Sequence, residues 1–167
     1  MAFASLRLGG DSRLILPSRN FSIGLALALM LMVMGVYFPA ARFGFINFDD
    51  DLYVTANPQV QAGISVRNIE WAFTHAVASN WQPVTVLSHA LDCQLFGANA
   101  GMAHAENVFI HALNAALVFV LFLELTGAAW PSWFIALLFA IHPLRIESVA
   151  WISERKDVLS GFWGLVR

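Results

Sequence analysis

The feature that most restricts the fold of this chain is an uncharged apolar stretch over residues 21–41. At about 1.5 Å per residue, a helix of this length crosses the roughly 30 Å hydrocarbon core of a bilayer. Two further uncharged runs follow, over residues 107–123 and 125–144. Because 59% of the residues are hydrophobic and only 12% are charged, the sequence predicts an integral membrane protein.

The expected fold class is an all-α, polytopic helical bundle with about three full transmembrane helices and the start of a truncated fourth. The predicted segments are a cytoplasmic N-terminus (1–20), helix 1 (21–41), a first extracytoplasmic loop (42–105), helix 2 (106–125), helix 3 (130–143), a second extracytoplasmic loop (144–157) and the start of helix 4 (158–167). A signal peptide cleaved after Ala41 is the alternative for the first span. Helix 4 has about ten residues, which cannot cross a bilayer. Its short length therefore predicts that the chain is a fragment.

The orientation follows from the arginines Arg7, Arg13 and Arg19, which precede the first span and favour a cytoplasmic N-terminus. Basic residues in the second loop oppose this assignment. Two spans separate the first loop from the second, so both loops emerge on the same side in either orientation. Within the first loop, residues 68–73 and 84–95 carry apolar side chains at helical spacing and predict amphipathic helices on the bilayer. Packing without chemistry is their alternative role.

Three consecutive carboxylates, Asp49, Asp50 and Asp51, lie just after the first span. Such groups repel one another and are costly to desolvate, so they indicate a bound cation, a proton shuttle or a charged substrate. Because two spans lie between the first and the second loop, the three aspartates reach the same membrane surface as a second group of charged residues. Its members are Arg145, Glu147, Glu154, Arg155, Lys156 and Asp157. Acidic and basic groups at one membrane surface suit an anionic lipid substrate.

A polar stripe follows one side of helix 2, where His104, Asn107, His111 and Asn114 recur at steps of three and four residues. The stripe either lines a substrate groove or forms hydrogen bonds between helices. For Asn114, deep in the span, we favour interhelical hydrogen bonding, and for His104 both roles stay open.

Other classes of function find less support. A net charge of −2 argues against a nucleic-acid partner, and the single cysteine excludes an intramolecular disulfide. The spacing of His89, Asp92, Cys93 and His104 does not match a zinc motif. We therefore expect no metal site and no cofactor, with a divalent cation on the aspartates as the alternative.

Several short motifs point to a family. They are FINFDDD at residues 45–51, Asn57-Pro58, NWQP at residues 80–83, HPLRIESVAW at residues 142–151 and ERKD at residues 154–157. They resemble the membrane part of the transmembrane and tetratricopeptide-repeat proteins. These belong with the protein O-mannosyltransferases to GT-C, the class of multi-spanning glycosyltransferases that use lipid-linked sugars. The resemblance covers nearly the whole chain from residue 21 onward.

The resemblance implies a polyprenyl-phosphate sugar donor, possible transfer of mannose to a hydroxyl on an acceptor protein or peptide, and an extracytoplasmic active site. The membrane would be the bacterial inner membrane or the endoplasmic reticulum. On this model Asp49 is the catalytic base and Asp50 its partner. The substrate-binding residues would be His142, Arg145, Glu147, Arg155, Lys156 and Asp157. Their alternative roles are headgroup anchoring for the cations and a structural ion pair for Glu147.

Family members carry many more membrane helices and usually a C-terminal repeat array, neither of which is present in these 167 residues. The sequence therefore predicts a fragment that is inactive alone. The competing hypothesis is a non-catalytic membrane anchor or assembly module.

Overall fold

The computed structural model describes residues 17–166, and the fold of these residues is all-α, as predicted. The helices are α1 (Arg19–Tyr37), α2 (Pro58–Gln61), α3 (Val66–Thr74), α4 (Pro83–Phe96), α5 (Ala100–Thr126), α6 (Ala129–Ile141), α7 (Arg145–Ala150) and α8 (Arg155–Val166). Short 3₁₀ segments follow α1 (Phe38–Arg42) and α7 (Ile152–Glu154), and a π-helical turn covers Asp51–Thr55. Most of the predicted N-terminal segment, with Arg7 and Arg13, lies outside the described residues.

Two of the described helical stretches are long and apolar enough to cross a membrane. They are Arg19–Arg42, of 24 residues, and Ala100–Thr126, of 27 residues. The second begins six residues before the predicted span at residues 106–125. α6 is apolar but has only 13 residues, which is about 20 Å of helix and less than the bilayer core. The third and fourth crossings therefore stay predictions.

Local sequence sets the ends of α5. The Asn99 side chain accepts a hydrogen bond from the N–H of Met102 at 3.1 Å and caps the first turn. Gly127 ends the helix in a left-handed conformation, with φ +67°, and its N–H donates to the Leu123 carbonyl at 2.8 Å. Between these caps α5 runs without a break and becomes the central helix of the fold.

Helices α1, α6 and α8 pack around α5 and bury the first hydrophobic core. Its fully buried members include Leu29 and Val33 of α1, Phe119 of α5, and Ala136 of α6. A buried hydrogen bond also joins α6 to α1, since Trp133 Nε1 donates to the Leu25 carbonyl at 3.0 Å. The helices α1, α6 and α8 therefore form a helical bundle around α5.

Gly101 allows the 3₁₀ segment after α1 to lie directly against the first turn of α5. A Cβ atom at position 101 would come within 2.7 Å of the Ala41 carbonyl oxygen. Real side chains do not tolerate such an approach, so the close packing at this corner requires glycine.

The segment predicted as a first loop is a folded helical cap with its own core. Tyr53, Val60, Ala72 and Ala90 are buried together against Ile152. α3 and α4 occupy the stretches whose apolar spacing predicts helices, and their placement on a bilayer surface stays a prediction. The cap is joined to the end of the bundle at which α5 begins.

The segment predicted as a second loop, residues 144–157, is also helical. It contains α7, the 3₁₀ segment Ile152–Glu154 and the first turn of α8. Arg155, Lys156 and Asp157 thus lie in the first turn of α8, where their side chains leave the helix in different directions. Because these three residues are helical and do not lie in a loop, each one has different surroundings.

Candidate functional site

The acidic motif after α1 is bonded to the segment after α7. The buried carboxylate of Asp50 accepts hydrogen bonds from Ser153 N at 3.1 Å and from Ser153 Oγ at 2.5 Å. Its second oxygen accepts from the N–H of Ile46 at 3.0 Å. The rings of Phe48 and Trp151 lie 5.6 Å apart beside this contact. The structure therefore brings the two predicted motifs together through Asp50.

Asp49 has a different environment from its neighbour. Its backbone takes a left-handed conformation, with φ +68°, which aspartate tolerates better than most residues. Its side chain is half-buried, and no donor within residues 17–166 bonds to it. The neighbouring Asp50 carboxylate is fully engaged, whereas that of Asp49 keeps its acceptor capacity.

A groove of about 640 Å³ opens where the two motifs meet. Its walls are mainly apolar, and its polar lining residues are Arg42, Asp50, His104, Glu147 and Trp151. A mainly apolar cavity with a few converging polar groups is the usual form of a ligand site. Asp49 adjoins Asp50 in sequence but is not among the lining residues.

One polar group of the groove has no hydrogen-bond partner within the described part of the chain. The indole Nε1 of Trp151 is buried and unbonded, whereas the ring nitrogens of His104 face the backbone of Gly44 and Ala150. The His104 ring contacts that of Phe43 edge to face, with centroids 6.0 Å apart. Buried polar groups are nearly always bonded in proteins, so the Trp151 indole N–H is the group that can donate a hydrogen bond to a ligand in the groove.

Arg155 lies at the centre of a buried polar network. Its side chain is fully buried, and Nη1 contacts Glu106 Oε2 at 3.0 Å and Asp92 Oδ2 at 2.7 Å. The Asp92 contact is an ion pair that lacks hydrogen-bond geometry. Further acceptors are Asn107 Oδ1 at 2.7 Å, the Ala103 carbonyl at 2.9 Å and Ser88 Oγ at 3.0 Å. The guanidinium is therefore already occupied by protein groups from α4 and α5.

The other predicted cations differ from Arg155. Lys156 Nζ forms a partly exposed ion pair with Glu154 at 2.5 Å. Burial lowers the pKa of Lys156, but the hydrogen bond and charge of Glu154 and the charge of Asp157 outweigh it and raise the pKa. Lys156 is therefore protonated at neutral pH. Arg145 lies 4.4 Å from the centroid of the Phe139 ring in a cation–π contact.

The structure divides the predicted substrate-binding residues among several places. Glu147 lines the groove beside Asp50, whereas Arg145 and Asp157 line a second cavity inside the bundle. Ser148 Oγ donates to Asp157 Oδ2 at 3.0 Å. His142 is exposed, and its Nδ1 accepts from the N–H of Leu144 at 3.3 Å.

The polar stripe of α5 is buried and links this helix to its neighbours. Asn107 Nδ2 donates to the Trp151 carbonyl at 3.1 Å, and His111 Nε2 lies 2.9 Å from the Ala140 carbonyl. Asn114 Nδ2 donates to the Val158 carbonyl at 2.8 Å. The interhelical role predicted for Asn114 is confirmed, while His104 is the member of the stripe that reaches the groove.

His89 is a buried imidazole close to this network. Burial, and secondly the positive charge of Arg155, hold the pKa of His89 well below its usual value of 6.5. The ring is therefore neutral at physiological pH. Within residues 17–166 no three His, Cys, Asp or Glu side chains are arranged to hold a metal ion.

Sequence reasoning missed Ser153, Ser88 and Glu106. Ser153 lies 103 positions from Asp50, and no local spacing connects them. Glu106 is the one charged residue near the start of the second apolar run, and its position directly before Asn107, another partner of Arg155, does not by itself indicate an ion pair. A carboxylate beside an apolar run is nonetheless the kind of group that needs a buried partner.

Comparison with known proteins gives a consistent set of relatives. The chain is 32% identical to protein O-mannosyl-transferase TMTC1 of Homo sapiens over an alignment of 173 residues. This alignment covers 93% of this chain and 19% of the human protein. It is 33% identical to the Mus musculus TMTC1 over 91% of the chain and 17% of the relative. Protein O-mannosyl-transferase Tmtc2 of Drosophila melanogaster is 30% identical over 83% of the chain.

The chain thus spans about a fifth of the length of the curated relatives that it matches. No protein-family model matches it. No solved structure matches it either.

Proposed function

This chain is a homologue of the transmembrane and tetratricopeptide-repeat protein O-mannosyl-transferases, and from that premise we propose that it builds part of a GT-C glycosyltransferase site. The reaction would move a sugar, mannose by the names of the relatives, from a polyprenyl-phosphate donor to a hydroxyl group of an acceptor protein. The relatives' names support the class of reaction, and the resemblance of the motifs to GT-C enzymes supports the polyprenyl-phosphate donor.

The observation that carries the proposal is the bond between Asp50 and Ser153 beside the groove. It joins two motifs that are far apart in sequence, and the groove between them is mainly apolar with Arg42 and Glu147 among its few charged lining residues. An isoprenoid chain suits the apolar walls, while a sugar phosphate needs the converging polar groups.

In the proposed reaction the acceptor hydroxyl oxygen attacks the anomeric carbon of the donor sugar. The new glycosidic C–O bond forms as the bond between that carbon and the phosphate oxygen breaks, and polyprenyl phosphate leaves with the bonding electrons. Asp49 takes the hydroxyl proton, because its carboxylate is not bonded to any donor of the described residues. Asp50, whose oxygens are occupied by Ser153 and Ile46, holds the loop in place.

The leaving phosphate needs positive charge. Arg42 is exposed, lines the groove and has its guanidinium 5.4 Å from the Phe38 ring centroid. Lys156 does not line the groove, but it is a second candidate, because its pair with Glu154 is partly exposed and therefore weak and exchangeable. Arg155 is already bonded to Asp92 and Glu106, so we assign it to positioning.

The proposed topology keeps the groove on the extracytoplasmic side of a multi-pass protein. The residues that line the groove lie after the end of α1, at the start of α5, and in and just after α7, and these parts meet at one end of the bundle. A reporter fused after Asp51 that is active only outside the cytoplasm tests this orientation. A cytoplasmic signal from that reporter would overturn it.

The catalytic assignment is tested by Asp49→Asn in the gene product that carries this sequence, in membranes supplied with polyprenyl-phosphate mannose and a hydroxyl-bearing peptide. Loss of a general base lowers the rate by about 10² to 10⁴-fold. The matched control is Asp51→Asn, which removes a neighbouring half-buried carboxylate and should leave transfer within a few-fold. Both variants must remain in the membrane fraction.

The outcomes separate the hypotheses. Unchanged transfer by Asp49→Asn would exclude Asp49 as the base. If the unsubstituted protein transfers no sugar but a stable partner is recovered with it in detergent, the assembly-module hypothesis gains support and the enzyme proposal fails.

A further inference from the structure

A second cavity, of about 330 Å³, lies inside the bundle and is separate from the groove at Asp50. α5, α6, α7 and α8 all contribute to its lining. Its size is at the lower end of the range for small-molecule sites. Sugar transfer as proposed above makes no use of it.

The entrance of this cavity carries two opposite charges that do not neutralise each other. Arg145 begins α7, and Asp157 lies in the first turn of α8. Neither forms an ion pair with a residue in the range 17–166. Arg145 rests on the face of Phe139, and Asp157 is held by the Ser148 hydroxyl at 3.0 Å. A cation and an anion are thus fixed at one entrance with their outer sides open.

A buried acceptor lies deeper in the same cavity. Asn114 is 2% exposed, and its Nδ2 donates a hydrogen bond to the Val158 carbonyl. Its Oδ1 has no hydrogen-bond partner among the described residues. Gly161 makes room for this amide, because a Cβ there would lie 3.1 Å from Asn114 Nδ2. An unbonded oxygen of this kind indicates a donor on a ligand.

Apart from His111, whose Nε2 lies 2.9 Å from the Ala140 carbonyl, the remaining walls are apolar. Val118, Phe139, Val158 and Leu165 line the cavity below the entrance. From His111 to Val118 α5 advances about 10 Å, and α8 runs beside it in the same direction. The cavity is therefore polar at the end where α8 begins and apolar toward the middle of the bundle.

We infer that this cavity binds a zwitterionic phospholipid with a primary ammonium group, of the phosphoethanolamine type. The lipid phosphate contacts Arg145, the ammonium contacts Asp157 and the Asn114 oxygen, and part of one acyl chain follows Val118 and Leu165. A purely anionic headgroup would leave Asp157 facing a like charge. A quaternary ammonium would offer no hydrogen bond to the two acceptors.

The test measures lipid binding to the purified protein by native mass spectrometry in a mild detergent. The probes are phosphatidylethanolamine, phosphatidylcholine, phosphatidylglycerol and a polyprenyl phosphate, each added alone. Phosphatidylethanolamine should bind most tightly. Arg145→Gln should weaken its binding about tenfold, and Asp157→Asn by a similar factor, since each removes one charged hydrogen bond.

Asp157→Asn also gives a signature that simple damage would not. It removes the repelling anion, so phosphatidylglycerol should bind better to this variant than to the unsubstituted protein. Gly164→Leu fills the cavity, because position 164 lines it and has open space around it, and should abolish binding. Gly24→Leu is the control, since position 24 in α1 is equally open but does not line the cavity.

Equal binding of phosphatidylethanolamine to all variants would show only nonspecific lipid around the bundle and would overturn the inference. Tighter binding of phosphatidylglycerol or polyprenyl phosphate to the unsubstituted protein would also overturn it and indicate an anionic lipid. The measurement does not depend on sugar transfer, so its failure and the failure of the proposed enzyme are distinguishable.

Discussion

Asp50 and Ser153 are bonded twice across 103 positions of sequence, through the N–H of Ser153 at 3.1 Å and its hydroxyl at 2.5 Å. Both residues are buried, with 1% of each exposed. This pair anchors the acidic loop after α1 to the 3₁₀ segment before α8, and the groove forms beside it. The position of the candidate site thus depends on one long-range contact.

Replacing Asp50 by Asn should lower the free energy of unfolding by about 1.5 to 3 kcal/mol, because the three donors lose a charged acceptor. Ser153→Ala should cost about 1 to 2 kcal/mol by the same reasoning. In the double variant the two losses should not add, since the residues share their bonds. Denaturant titration in detergent measures all three values, and full additivity would show that the pair is not coupled.

Arg155→Met should lower the free energy of unfolding by about 3 to 5 kcal/mol, because it leaves the buried carboxylate of Asp92 and the partly exposed carboxylate of Glu106 without a cation. Lys156→Met in the same turn is the control and should cost less than about 1 kcal/mol, since its ion pair is partly exposed. Thermal unfolding of the detergent-solubilised variants gives the comparison. Similar losses for both would contradict the assignment of Arg155 to a buried structural network.

His89 predicts a loss of stability in mild acid. The pKa of His89 in the folded protein is depressed below 6.5. In mild acid the imidazole is therefore protonated in the unfolded chain but stays neutral in the folded protein. The contribution of His89 is complete above about pH 6.5 and falls by about 1.4 kcal/mol per pH unit below it, until the folded pKa is reached.

The variant His89→Gln should therefore lose about 1.4 kcal/mol less stability than the unsubstituted protein between pH 7.5 and pH 5.5. His75→Gln, at an exposed histidine after α3, is the control and should keep the original pH dependence. Unfolding curves at the two pH values test this. An unaltered pH dependence in His89→Gln would show that the residue does not titrate on unfolding.

Two glycines in different surroundings should respond in opposite ways to alanine. Gly101→Ala places a Cβ within 2.7 Å of the Ala41 carbonyl and should cost about 1 to 3 kcal/mol through overpacking. Gly35→Ala, inside α1 with nothing within 4 Å, should stabilise by about 0.5 to 1 kcal/mol because alanine is the better helix former. Melting temperatures in one detergent decide the sign, and a stabilised Gly101→Ala would refute the close approach.

Much of the fold follows from local sequence. The apolar runs at residues 21–41 and 107–123 predict the helices that become α1 and α5, since the length and polarity of a helix are local properties. The two stretches of the first loop with helical spacing are helices as well. Spacing also places the α5 stripe on one side, and the hydrogen bond of Asn114 confirms its interhelical role.

The surroundings of the charged residues were decided by tertiary structure. Sequence places Arg155, Lys156 and Asp157 side by side, yet the first is fully buried in α8, the second forms a partly exposed pair and the third faces a separate cavity. The reason is that adjacent residues of a helix point about 100° apart, and what each meets depends on which helices pack there. Sequence determined that this protein is helical, apolar enough for membrane spans and related to O-mannosyl-transferases. Only packing decided which carboxylate is bonded, which is open and where the two cavities lie, because long-range contacts leave no mark in local spacing.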